Sequence, residues 1–388
     1  MEHNLFMAMI WIGLALVASI LSIRTAISVA LVEICVGVIA GNYLGLDGKA
    51  EWITFLAGFG SILLTFLAGA EIEPEVLRKY GKESIGIGLL SFFLPFLGAM
   101  AYAYYVANWS FDAAKICGIA LSTTSVAVVY AVMVETGLNK TELGKLILAA
   151  CFVTDLGTVL ALGVLFAHYN IWLALFCVVT TLALCFTPRF TRWFFKTFNG
   201  HVSEPEIKLL FFMLFALGWL AAHSNSEAVL PAYLLGLVVA GLFKENREMV
   251  RHLRTTTFAL LTPFYFLKAG TIVSLPAILT GLGLITVLLG VKVIMKFLGV
   301  YPLTAVFRFS PKIGMYTTLL MSTGLTFGSI SALFGYSRGI INQEQYTVLV
   351  TVVIASAIVP TLIAQWFFRP RHRDLEGGWQ KSADEKTR

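Results

Sequence analysis

The sequence predicts an all-α polytopic membrane protein of about thirteen transmembrane helices, and three observations carry that expectation. The 388 residues are 58% hydrophobic and only 13% charged, with a mean hydropathy of +0.83. A soluble domain carries about 25% charged residues. The apolar residues gather in runs near 5–22, 26–45, 51–70, 82–107, 114–134, 142–168, 170–190, 206–223, 228–243, 255–273, 277–304, 311–335 and 343–368. Most approach the ~20 residues that cross a bilayer. Charge supplies the third observation. With the N-terminus outside, 22 of the 28 Lys and Arg fall on one side, and only Lys49, Lys115 and Arg338 fall on the other. Lys and Arg accumulate in cytoplasmic loops, so the C-terminus is expected in the cytoplasm.

A chain so poor in charge cannot stay dispersed in water. A cytosolic enzyme, a disordered protein and a nucleic-acid-binding module are excluded on composition. The net charge of +6 reflects topology rather than an affinity for nucleic acid. The five cysteines (Cys35, Cys117, Cys151, Cys177, Cys185) show no metal-ligand spacing and read as small buried hydrophobes. No nucleotide-binding glycine motif and no H-E-x-x-H zinc motif occurs.

The elements follow in order. Leu5–Ser22 lacks a basic leader, carries Glu2 ahead of it, and reads as a first span. Glu33 lies inside the second run, and Glu71 ends the third at its cytoplasmic boundary. The fifth run is interrupted by Ser122-Thr123-Thr124-Ser125, and the twelfth by Ser322-Thr323-Gly324. Hydroxyl side chains bond local backbone and tolerate helix irregularity. Non-helical backbone at membrane depth is permitted only where it lines a cavity or is buried in protein.

Asp155, in the sixth run, has roughly ten apolar or small residues on each side. With a single methylene it cannot reach a headgroup. An acid at that depth costs about 2.5–3.5 kcal/mol on insertion scales, so it faces a partner or a cavity. The pair of runs at 206–243 is separated only by Ser224-Asn225-Ser226, and merging them would invert every later loop. Lys268 sits in Pro263–Gly270, which reads as a helix break. Lys292 and Lys296 stand one turn apart on one face of the eleventh run. The tail, 369–388, is a charged flank too short for a domain.

Two broken helices in corresponding positions of two halves point to an ion site at the midplane. Spans four to six would then correspond to eleven to thirteen by an inverted repeat. Asp155 would alternately hold a cation and a proton, since burial favours the neutral acid and a bound cation favours the carboxylate.

These residues resemble the monovalent cation:proton antiporters, and within them the second cation:proton antiporter family of the sodium/hydrogen exchanger superfamily. The likeness runs from about residue 20 to 368. Glu33, Gly37 and Gly41 resemble its second-helix Gly-Glu-x-x-x-Gly-x-x-x-Gly pattern, with Val32 in place of the first Gly. Phe66–Glu71 resembles its Phe-x-x-Gly-x-Glu motif. Thr124-Ser125 fall where its unwound helix carries Thr-Ser or Thr-Asp. Pro263, Phe266 and Gly270 fit its Pro-x-Phe-Phe…Gly stretch, and Lys296-Phe-Leu-Gly299 fits its Lys-x-x-Gly, which favours Lys296 over Lys292. Members carry Asp-Asp, Asn-Asp or Gln-Asp at the ion site, whereas here the pair is Thr154-Asp155.

The resemblance implies a homodimer with an antiporter domain over 1–368. Core spans are expected near 82–168 and 277–368, dimerisation spans near 5–70 and 206–273, and a linker span at 170–190. It implies elevator-like exchange of Na⁺ or K⁺ for H⁺ in a bacterial or archaeal inner membrane, with no cofactor and no enzymatic activity. Asp155 would bind the cation, with Thr154, Thr124 and Ser125 as supporting ligands. Lys296, or Lys292, would compensate its charge. Thr123, Ser322, Thr323 and Gly324 would form the helix crossing. The single acid suggests electroneutral one-for-one exchange. Two other readings are open to the residues. A sodium-coupled organic-anion symporter also uses crossed broken helices. An intramembrane aspartyl protease would need a second deep Asp.

Overall fold

The structure is a computed structural model that describes residues 2–25, 28–70, 80–138, 141–166, 171–198, 201, 203–223, 228–245 and 247–370. Glu71, the Ser224-Asn225-Ser226 break, the loop cations Arg78, Lys79 and Lys140, and the tail beyond 370 lie outside the described residues.

Among the described residues all regular structure is helical. In chain order the helices are α1 (Glu2–Thr25), α2 (Val29–Tyr43), α3 (Glu51–Ala70), α4 (Gly81–Tyr105), α5 (Phe111–Ser122), α6 (Val126–Thr136), α7 (Glu142–Leu165) and α8 (Ile171–Phe198). Then follow α9 (Pro205–His223), α10 (Val229–Glu245), α11 (Arg247–Thr256), α12 (Thr262–Thr271), α13 (Leu275–Val306), α14 (Pro311–Met321), α15 (Thr326–Ser337) and α16 (Gln343–Phe367). A single π-helical turn, Thr257–Leu261, joins α11 to α12. Eight of the described helical segments are long and apolar enough to cross a membrane, counting α14 and α15 together across their break. Val29–Tyr43 and Val229–Phe243 are apolar but shorter.

Local chemistry explains the helix ends. Ser28, Ser110, Ser274 and Ser310 each accept a backbone N–H of the first turn, which satisfies a donor that has no partner inside the helix. Asn342 and Gln345 form a reciprocal capping box at the start of α16. Two ends differ from the sequence expectation. The run expected to close at 190 continues as α8 to Phe198, past Pro188, because Arg189, Arg192 and Lys196 alternate with Phe190, Phe194 and Phe195 to give an amphipathic extension. The run expected from 255 is preceded by the amphipathic α11, which buries Met249 and Leu253 and exposes Arg251 and Arg254.

The chain divides into two compact units, Met1–Pro74 with Val159–Thr271, and Glu75–Thr158 with Ile272–Arg388. In the first, α2 and α12 touch backbone to backbone. A Cβ on Gly37 would strike the Leu267 carbonyl, and one on Gly270 would strike the Ile34 carbonyl. That contact explains the glycines the sequence singled out. Trp11 stacks on Phe264 at 5.6 Å beside it.

The second unit buries Ile87, Leu146, Ile147, Ile313, Leu320 and Met321 in one core. Its longest helix, α13, leaves most of its length exposed and buries one stripe: Ile285, Leu288, Lys292, Lys296 and Gly299. The spacing of three and four is that of a single helix face. Both lysines therefore point inward on a helix that is otherwise apolar on its exposed surface.

Replacing Gly37 or Gly270 with Val is expected to destabilise the first unit by about 1–3 kcal/mol, the usual range for overpacking a tight contact. Thermal melting of the purified protein in detergent reads this, and an unchanged midpoint would contradict the close approach.

Candidate functional site

The site is built from the two interrupted helices of the second unit. Between α5 and α6, Thr123 turns extended (φ −63°, ψ 154°) and residues 123–125 leave the helix. Between α14 and α15, residues 323–325 do the same. The hydroxyls end the helices as their chemistry suggests. Thr123 Oγ1 donates to the Ala120 carbonyl (3.0 Å), and Thr323 Oγ1 to the Leu320 carbonyl (2.8 Å). Ser122 Oγ and Ser322 Oγ donate to Ile119 and Thr318, both at 2.8 Å.

The two breaks are bonded to each other. The Ser125 amide donates to the Thr323 carbonyl (3.1 Å), and Thr124 Oγ1 donates to the Met321 carbonyl (2.9 Å). Gly328 permits the approach, since a Cβ there would lie 3.0 Å from the Ala120 carbonyl. The sequence-predicted crossing residues Thr123, Thr124, Ser125, Ser322, Thr323 and Gly324 thus meet in one place and are buried.

Lys296 serves the first break. Its Nζ donates to Ser91 Oγ (2.8 Å), the Ser122 carbonyl (2.7 Å) and Thr124 Oγ1 (2.9 Å). Three acceptors match the three N–H bonds of an ammonium. Gly299, three residues on, explains its own half of the Lys-x-x-Gly pattern. A Cβ there would lie 2.8 Å from the Leu90 carbonyl, so glycine lets α13 approach α4 where Ser91 meets Lys296. Lys292 does something different, donating to Ser356 Oγ at 3.0 Å.

Asp155 lies in mid-α7, about 1% exposed, and its Oδ1 is buried with no hydrogen-bond partner among the described residues. Cys151, one turn earlier, touches Met321 sulfur to sulfur at 3.7 Å, which ties α7 to the end of α14. Thr154 is buried beside it, and its hydroxyl donates to the Ala150 carbonyl (3.0 Å) and leans on the Gly88 carbonyl (3.4 Å). Gly88 allows that contact, since a Cβ there would lie 2.8 Å from the Ala150 carbonyl.

Elsewhere, Glu33 is buried in the first unit with Oε2 unpartnered among the described residues. Lys268 donates to Thr54 Oγ1 at 2.7 Å. Among the described residues no cluster of three His, Cys, Asp or Glu could hold a resident metal ion. Sequence reasoning missed Ser91 and Ser356. Each stands four residues before a proline inside its helix, Pro95 and Pro360. Proline cannot donate to the carbonyl four residues back. A lone hydroxyl at that spacing in an apolar run was the available signal.

The comparisons with known proteins rest on this geometry. The family model described as sodium/hydrogen exchanger, transmembrane, matches residues 12–369.

The chain belongs to the sodium/hydrogen exchanger family.

This is a family of transporters rather than enzymes, and the chain is accordingly an integral membrane cation/proton antiporter. The chain is 25% identical over 347 residues to the probable Na⁺/H⁺ antiporter 3 of Methanocaldococcus jannaschii, covering 86% of this chain and 88% of that protein. It is 26% identical over 369 residues to the Na⁺/H⁺ antiporter of Enterococcus hirae, covering 90% and 94%. Its fold matches the sodium proton antiporter MjNhaP1 from M. jannaschii with a TM-score of 0.71 at 14% identity, covering 93% of this chain and 97% of that one.

Replacing Lys296 with Met in this antiporter removes the donor for the Ser122 carbonyl. The expected cost is about 1–3 kcal/mol of stability, that of a buried acceptor left unsatisfied. Thermal melting with and without the substitution checks it. A variant as stable as the parent would show that Lys296 does not hold the first break.

Proposed function

We propose that the antiporter exchanges Na⁺ or K⁺ for H⁺ one for one, with Asp155 holding the two ions in turn. The observation that carries this is a buried carboxylate whose Oδ1 has no hydrogen-bond partner, on the helix tied to the crossing of two broken helices. A buried acid costs several kcal/mol unless it is paired or neutral. A proton makes it neutral, and a monovalent cation makes it paired. Both cannot occupy it together, so release of one is required for binding of the other.

Thr124, Ser125 and Thr154 supply the hydroxyl and carbonyl oxygens that a hard cation takes as ligands. All three hydroxyls already make local bonds, so a cation would take their remaining lone pairs or the carbonyls beside them. Lys296 acts as a fixed countercharge to the emptied carboxylate. Its three hydrogen bonds use all its donors, which supports a single exchangeable proton per cycle.

In this reading the unit containing Glu75–Thr158 and Ile272–Arg388 is the moving core. It carries the site from one face of the membrane to the other in an elevator-like cycle. Spans four to six and eleven to thirteen form its inverted repeat within a thirteen-span protein. The other unit is the stationary scaffold and supplies the homodimer surface, and its α1 exposes Leu5, Met9 and Leu16. The basic side of the chain, with the C-terminus, faces the cytoplasm.

In proteoliposomes, Asp155→Asn is expected to lower cation/proton exchange by about a hundredfold or more while the protein still folds. Exchange near the parent's rate would overturn the assignment. The stoichiometry has its own test. A net charge moved per cycle would couple to voltage by about 2.3 kcal/mol per 100 mV. One-for-one exchange predicts initial rates that an imposed potential leaves unchanged.

A further inference from the structure

The two halves of the site are spaced alike along the chain. Ser91 precedes Thr123 by 32 residues, and Asp155 follows it by 32. Lys292 precedes Thr323 by 31 residues, and Ser356 follows it by 33. Lys292 and Ser356 therefore flank the second break as Ser91 and Asp155 flank the first. Where the first half has an acid, the second has a hydroxyl, and that hydroxyl is bonded to an ammonium on its own chain.

The surroundings of Lys292 fit that correspondence. Its side chain is fully buried. Nζ donates to Ser356 Oγ at 3.0 Å, and Ser356 Oγ in turn donates to the Val353 carbonyl (2.8 Å) and reaches the Gly324 carbonyl (3.5 Å). Gly324 is the residue of the second break that corresponds to Thr124 of the first. A Cβ on Gly324 would collide with Lys292 Nζ and lie 3.3 Å from Ser356 Oγ. The missing side chain of Gly324 is thus the space that the ammonium fills.

We propose that Lys292 is a positioning residue: a tethered cation that permanently occupies the second half's counterpart of the exchange site, and through Ser356 holds the second break against α16. Lys296 and Lys292 then have separate duties. Lys296 ties the first break to α4 through Ser91, the Ser122 carbonyl and Thr124. Lys292 fixes the second break, so that the Thr323 and Met321 carbonyls stay on Ser125 and Thr124, the proposed cation ligands. The proposal rests on the assignment of the exchange site to Asp155.

The test is a double-substitution cycle in proteoliposomes, reading the apparent KM for Na⁺ and for K⁺, the maximal rate and the melting temperature. Lys292→Met removes the ammonium and shortens the side chain. Gly324→Ala keeps the ammonium and pushes it from its place. Each is expected to raise the apparent KM for the transported cation by about tenfold, the lower end of what loss of a supporting partner costs a metal-binding site. Because both act on the Lys292 contact, although a Cβ at 324 would also lie 3.0 Å from Thr123 Oγ1, the double variant should fall well short of the product of the two single effects. Ser356→Ala should move KM in the same direction.

Three results would overturn the proposal. Effects that multiply in the double variant would mean that the two residues do not share a contact. A lower KM in Lys292→Met would make Lys292 a charge that repels the cation rather than a group that places its ligands. A lowered melting temperature with KM within twofold of the parent would make it structural only. Failure of the Asp155 assignment shows separately, as exchange retained in Asp155→Asn.

Discussion

A helix broken at membrane depth leaves backbone carbonyls without their helical partners, and each one left unsatisfied in the bilayer core costs several kcal/mol. The second unit has two such breaks, and much of its polar chemistry answers that cost. Hydroxyls of Ser122, Thr123, Ser322 and Thr323 turn back onto their own helices. Thr124 and Ser125 satisfy carbonyls of the opposite break. The Ser122 carbonyl goes to an ammonium, that of Lys296. The first break thus holds a buried ammonium, and a buried positive charge favours a buried acid nearby.

In the proposed exchange Asp155 is that acid, a buried carboxylate whose Oδ1 has no hydrogen-bond partner among the described residues. A carboxylate locked into a direct ion pair would have no need of a passing cation. Here Lys296 spends its hydrogen bonds on Ser91, Ser122 and Thr124. In the proposed cycle the Asp155 carboxylate takes a proton or a metal cation in turn.

The burial of Asp155 and the meeting of the two broken helices were legible in the sequence because membrane burial is unforgiving. An Asp with apolar neighbours for many residues on either side, and hydroxyl clusters in two apolar runs, have few alternative explanations in a bilayer. The Lys-x-x-Gly of α13 also had a visible reason, since Gly299 lets α13 meet α4 beside Ser91. What stayed hidden was partnership. Lys292 and Lys296 look alike in one dimension, one turn apart on one face, and only the placement of Ser91 and Ser356 separates their duties. Single serines are common in membrane helices, so neither stood out. The helix ends at Phe198 and Arg247 were missed for another reason: amphipathic segments at the membrane surface carry too much charge for a hydropathy reading to extend through them.

Calorimetry on the purified antiporter bears most directly on the claim that one carboxylate serves two ions. Titrating Na⁺ or K⁺ in buffers of different ionisation enthalpy counts the protons released as the cation binds. With the acid protonated beforehand, one proton released per cation is expected, and none in Asp155→Asn. Cation binding that releases no proton, or the same release without Asp155, would contradict it.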